Sequence, residues 1–155
     1  HPNSRRQRQM CIRDSYRAAL HDDTNTIPTW LQEAVSSYVS VLNDCAYSYA
    51  NHWKNAAHLI GDADRAGEIE TALQARKPEQ AFEGAELALM RYAEKLTLSP
   101  GDMVEADVAA LRDAGLDDGA ILEANQIICY FNYVNRSING LGVTTAGDIV
   151  GYYAD

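Results

Sequence analysis

Apolar side chains recur every three or four residues along this chain, and no convincing strand-like alternation replaces that rhythm. A period near 3.6 predicts amphipathic helices, so the core must be built by packing helix faces together. The breaks are marked as clearly as the periods. Thr26-Ile27-Pro28 gives a start signal for a helix from about Pro28 to Leu42, with Trp30, Leu31, Ala34, Val35, Tyr38, Val41 and Leu42 on its apolar stripe. Asn43-Asp44 interrupts it, and a second helix is predicted from Cys45 to about Ile60, closed by Gly61. Asp62 caps a third, carrying Ile69, Ala72 and Leu73 until Lys77-Pro78 ends it. Further helices are expected over about Glu79 to Leu96, from Asp102 to the stop at Gly115, and from about Asp117 to Ile138, with irregular chain from Gly140 onward. Asp14 to Leu20 has the pattern of a short additional helix. The expected architecture is all-α, a single-domain helical bundle of about six or seven helices.

The 155 residues suffice for one domain that needs neither disulfide nor metal to fold. Charge divides the chain unevenly. Five of the 13 basic residues (Arg5, Arg6, Arg8, Arg13 and Arg17) fall in the first 17 positions, and eight basic side chains face 21 acidic ones after that. A body this acidic repels phosphate backbones, so no nucleic acid is expected as its partner. Residues 1–13 read as a disordered basic tail with the character of appended sequence, 14–143 as the helical domain and 144–155 as a C-terminal tail. No apolar run is long enough for a membrane span, and no apolar stretch follows the N-terminal arginines as in a secretory signal, so a cytoplasmic location is expected. Three cysteines, Cys11, Cys45 and Cys129, make no disulfide framework. Cys129 lies in the apolar run Ile127-Ile128-Cys129-Tyr130-Phe131 and reads as a small core residue.

Cys45 has more promising company. At about 100° per residue, Cys45, Ser48 and His52 fall within roughly 60° of one another on one helical face. Cys45 also occupies the start of its helix, where free N–H groups favour the thiolate. If the first two helices pack antiparallel about Asn43-Asp44, Glu33 comes near His52 and can hold its tautomer. Taken singly, each residue also has a plain structural reading: a packed cysteine, a satisfied histidine, a solvated carboxylate. His52 and His58 are six apart and diverge on a helix, so no metal is expected. Gly140-Leu141-Gly142 lacks the strand and helix of a phosphate loop, and no cofactor is expected.

With Glu33 followed by Cys45-Ala46-Tyr47-Ser48 and His52, the chain resembles the alkylhydroperoxidase D / carboxymuconolactone decarboxylase family, whose thiol members carry Glu, about a dozen residues, then C-x-x-C-x-x-x-H. Tyr92-Ala93-Glu94-Lys95-Leu96-Thr97 is similar to the "YAEKLT" of its peroxidase-related branch. Ala114-Gly115-Leu116, Ile121-Leu122-Glu123 and Tyr130-Phe131-Asn132-Tyr133-Val134-Asn135-Arg136 are similar to "AGL…EIL…YFNFVNR" of the same branch. The resemblance covers about residues 28–143. It implies an alkylhydroperoxidase D-like fold, a homo-oligomer (trimer or hexamer) and a small-molecule substrate. It also marks a departure: Ser48 stands where the family has its second cysteine, the thiol that meets peroxide. A serine can neither form a disulfide nor cycle through sulfenic acid. Tyr47 replaces the histidine that some members use in proton transfer.

The last helix adds a polar stripe of Asn125, Cys129, Asn132, Asn135/Arg136 and Asn139. Such a stripe either satisfies neighbouring backbone or a subunit interface, or lines a pocket with Asn132 as donor and Arg136 as carboxylate anchor. Three functions follow. The first is an oxidoreductase using one-cysteine chemistry at Cys45, with a Glu33/His52 proton relay and an external thiol reductant. The second is decarboxylase-like acid–base chemistry on a small carboxylate or lactone. The third is a non-catalytic oligomer.

Overall fold

A computed structural model describes residues 25–152, so the expected Asp14–Leu20 helix, the basic tail and Cys11 lie outside the described residues. Six α-helices follow in order, with no strand among the described residues: α1 (Thr29–Leu42), α2 (Ala46–Ile60), α3 (Ala63–Gln74), α4 (Gly84–Leu98), α5 (Glu105–Asp113) and α6 (Asp118–Leu141). Short 3-10 turns at Pro78–Gln80 and Pro100–Asp102 flank α4. No helix among the described residues is long and apolar enough to cross a membrane.

The punctuation read from sequence works locally. Asp62 and Asp117 cap α3 and α6 by accepting from the backbone N–H groups of Arg65 and Ala120. Gly61 and Gly142 close α2 and α6 in the left-handed conformation, at φ 68° and 65°, which costs glycine little. Three boundaries differ from expectation. The helix predicted from Glu79 begins only at Gly84, because the chain first makes the turn at Pro78 and inserts Phe82 into the core. Arg65 covers that ring, its guanidinium carbon 5.9 Å from the centroid. The helix expected to open at Asp102 begins at Glu105, where Asp107 accepts from the Val104 N–H and pairs with Lys95 at 2.7 Å. At the other end α6 runs on through Gly140 to Leu141.

The largest departure concerns α1. Its spacing predicts one apolar and one polar face, yet every residue from 31 to 40 is buried. Helix α1 is the central rod, packed most extensively on α2 and then on α4 and α6. Its hydroxyls survive burial by bonding one turn back: Ser36 to the Gln32 carbonyl, Ser37 to that of Glu33 and Ser40 to that of Ser36, at 2.7, 2.8 and 2.8 Å. Tyr38 is fully enclosed and donates to Glu94 at 3.1 Å. The segment Tyr92–Thr97 stitches α4 to its neighbours: Tyr92 accepts from Asn125, Glu94 from Tyr38, and Thr97 from Asn132. Ala93 is fully buried among them.

Candidate active site

The α1–α2 break builds the site. Asp44 adopts φ 51°, a left-handed conformation that an Asx side chain tolerates, and the Cys45 N–H reaches back to the Ser40 carbonyl at 2.9 Å. This tight reversal lays α2 antiparallel on α1 and sets Glu33 opposite His52. The Glu33 carboxylate, only 3% exposed, meets His52 Nδ1 at 2.7 Å through Oε2. Its Oε1 accepts from Asn55 Nδ2 at 3.3 Å. The His52 ring stands edge-on to Phe131, 4.5 Å between centroids, and remains 21% exposed. No protein hydrogen bond to its Nε2 is found among the described residues.

A carboxylate on Nδ1 selects the tautomer with the proton there, which leaves Nε2 as a proton acceptor. One half of this pair is walled in and the other is partly exposed, which is the order a proton-transfer site needs.

The serine and cysteine lie differently from the expectation. Ser48 is buried with its hydroxyl 2.9 Å from that of Ser40; because Ser40 spends its one proton on the Ser36 carbonyl, Ser48 is the donor there, and Asn135 also donates to Ser40 at 3.3 Å. Cys45 is the N-cap of α2 and is 1% exposed. Burial pushes its thiol pKa up, and the N–H groups of Ser48 and Tyr47, which favour the thiolate, only partly oppose that. The helix start acts as expected, but desolvation outweighs it. Seven residues of helix at about 1.5 Å each put Cys45 roughly 10 Å along the axis from His52. Ser48, one turn from His52, is the closer neighbour of the imidazole.

Cys129 also corrects its reading: it sits on the exposed side of α6 and not in the core, although burial of its sulfur still raises that thiol. The residues turned inward from the same run are Ile127, Ile128 and Phe131.

The polar stripe of α6 divides into separate roles. Asn135 is fully buried beside Ser40, and Asn125 is spent on Tyr92. Asn132 donates to Thr97 and accepts from Asn43, and Asn139 donates to the Asn43 carbonyl, so this group braces the α1–α2 break. Arg136 is exposed and folds onto the Asn132 carbonyl and side-chain oxygen one turn back. Tyr47 lies on the outer side of α2, its pKa raised by the neighbouring Asp148 carboxylate first and burial second. Glu33 and His52 therefore come together, Ser48 one turn before His52 is bonded to Ser40, and Tyr47, Asn132 and Arg136 lie in two other groups.

Sequence reasoning missed Asn55 and Ser40. Asn55 stands one turn beyond His52, a spacing that could have drawn notice. Ser40 gave no signal beyond its place on α1. Two clefts lie away from this cluster. One of about 270 Å³ is lined by Ile27, Leu31, Leu89, Leu116 and Ala120, among others, and one of about 210 Å³ is bordered by Trp30, Ile60, Arg65 and Glu86, among others. Among the described residues no group of three or more His, Cys, Asp or Glu could hold a metal ion.

No protein-family model matches the chain, and no curated protein does. Solved structures do. An uncharacterized peroxidase-related protein from Silicibacter sp. TM1040 superposes with a TM-score of 0.77 at 20% identity, over 86% of this chain and 68% of that one. An uncharacterized peroxidase-related protein from Ralstonia eutropha JMP134, described as an alkylhydroperoxidase AhpD core, gives 0.74 at 20% identity over 88% and 70%. The debrominase Bmp8, as a cysteine-to-alanine variant in complex with 2,3,4-tribromopyrrole, gives 0.71 at 17% identity over 87% and 68%. The six helices of the described residues, in this order, form an alkylhydroperoxidase AhpD-like fold.

Proposed function

We propose that the protein is an enzyme that moves a proton on a small carboxylate or lactone, with His52 as general base and acid and Glu33 holding its tautomer. The observation that carries this reading is the 2.7 Å contact between the buried Glu33 and Nδ1 of the partly exposed His52, whose Nε2 has no hydrogen bond among the described residues. In the step, Nε2 takes a proton from carbon next to a carbonyl, the electron pair moves onto the carbonyl oxygen as an enolate, and the imidazolium returns the proton. Glu33 stabilises that imidazolium without changing its own protonation. A fold shared with a debrominase and with peroxidase-related proteins is compatible with chemistry that differs among its members.

A second reading, one-cysteine peroxide chemistry at Cys45, is favoured by the backbone of Ser48 and Tyr47 at the start of α2, which pulls the thiol pKa down against burial. There the thiolate attacks the peroxide, the O–O bond breaks and the distal oxygen leaves as alcohol or water; one external thiol then condenses with the sulfenic acid, releasing water, and a second displaces Cys45 as thiol, the two leaving together as a disulfide. Burial and distance from His52 weigh against it.

One experiment separates the two. The protein is incubated in deuterated water with a panel of small oxo-acids and lactones, and in parallel with small peroxides and a thiol. Deuterium uptake that His52→Ala abolishes and Cys45→Ser preserves is the expected result. Peroxide consumption abolished by Cys45→Ser, with no deuterium uptake, would overturn the acid–base reading.

A further inference from the structure

The chain beyond α6 returns to the site. Asp148 lies near enough to the Tyr47 hydroxyl to raise its pKa, the Gly151 N–H donates to Asn51 Oδ1 at 3.1 Å, and the Tyr152 N–H donates to Asn55 Oδ1 at 2.6 Å. These three contacts lay residues 148–152 as a strap along α2. The approach is close. A Cβ on Gly151 would fall 2.9–3.3 Å from the Cδ, Cγ and Cβ of Lys54, and Gly151 has φ 86°, so residue 151 is a position for glycine on both counts.

Asn55 joins this strap to Glu33. A backbone N–H can only donate, so the Asn55 atom facing Tyr152 must be Oδ1, and Nδ2 is thereby turned toward Glu33 Oε1. The amide could otherwise flip, and its oxygen would then face a buried carboxylate. With Oε1 occupied, the carboxylate is held about its loose terminal torsion so that Oε2 meets His52 Nδ1. We infer that Asn55 is a positioning residue for the Glu33–His52 pair, and that the Tyr152 N–H of the C-terminal strap sets the orientation in which it works. The inference rests on the reading of His52 as the base, but its test does not require turnover.

The test is the His52 tautomer, read from imidazole 15N chemical shifts in the full-length chain in mildly alkaline buffer. The wild type should show Nδ1 protonated and Nε2 bare. Asn55→Ala should shift the tautomer ratio about tenfold, the order expected for losing one hydrogen bond to a charged group. Tyr152→Pro removes the N–H at an exposed position and should shift the ratio in the same direction, whereas Tyr152→Phe keeps the N–H and should match the wild type. Should Asn55→Ala fail to fold, Tyr152→Pro carries the test, because Tyr152 is 77% exposed. A folded Tyr152→Pro protein with the wild-type tautomer ratio overturns the strap's part, and an unchanged ratio in Asn55→Ala overturns the inference whole. If the tautomer responds as expected but no substrate exchanges deuterium, the acid–base function fails while the positioning of His52 stands.

Discussion

Replacing Glu33 with glutamine removes one charge and almost no volume, and the structure dictates how the site must respond. The carboxylate accepts twice, from His52 Nδ1 at 2.7 Å and from Asn55 Nδ2 at 3.3 Å. A glutamine offers one acceptor and one donor in the same place. Asn55 cannot accommodate the donor, because the Tyr152 N–H holds its Oδ1 on the far side. The imidazole can, by moving its proton to Nε2 and accepting at Nδ1. Glu33→Gln should therefore invert the His52 tautomer and cap the nitrogen that takes the substrate proton. Loss of a charge-assisted bond costs roughly 1–3 kcal/mol. For a chain of 155 residues that is about 3–10 °C in Tm. Activity should fall much further, on the order of 10²–10⁴-fold, the usual share of a positioned acid–base group. The assays are a thermal melt, imidazole 15N shifts and the deuterium-exchange rate on one preparation. A folded variant that keeps Nε2 unprotonated and exchanges substrate at the wild-type rate would refute the reasoning, since neither the tautomer nor the base would depend on Glu33.

Other outcomes follow from burial and exposure. In a Cys11→Ser background, limiting alkylating reagent should label the exposed Cys129 well before Cys45, which is 1% exposed; peptide mass spectrometry after a timed quench that finds Cys45 first would contradict its enclosure. Burial, then the charge of Glu94 and the hydrogen bond to it, raise the Tyr38 hydroxyl above its ordinary 10.0, so the folded state keeps a proton that the unfolded chain releases. Stability should therefore be full below pH 10 and fall as pH rises beyond it, and Tyr38→Phe should flatten that alkaline limb in denaturant titrations. Assembly through α6 is expected to use its outer face, where Leu122 and Tyr133 are exposed, because Phe131 is in the protomer's own core. Tyr133→Glu should lower the mass measured by light scattering, and a wild-type monomer at micromolar concentration would remove this expectation.

Much of the architecture was legible because it is local. Helix caps and C-terminal glycines act within a turn, so Asp62, Asp117 and Gly61 could be read where they stand. The facing of Glu33 and His52 was equally accessible, since a short break between two helices leaves them little choice but to pack antiparallel. The start of α4 was not legible, because whether Phe82 continues a helix or fills a gap depends on the cavity it meets.

By itself, then, the sequence determined a bundle of about six or seven helices, their order and the register of Glu33, Cys45, Ser48 and His52. Tertiary structure alone decided how these groups behave. It enclosed α1 on all sides, so that a stripe written as polar became a buried ladder of back-bonded serines. It buried Cys45 deeply enough for desolvation to outweigh the helix start, and left Cys129 outside. It also brought Tyr152 to Asn55 across 97 residues of chain. Periodicity and capping are properties of neighbouring residues, whereas desolvation and the orientation of a buried amide depend on whatever the rest of the fold places against them.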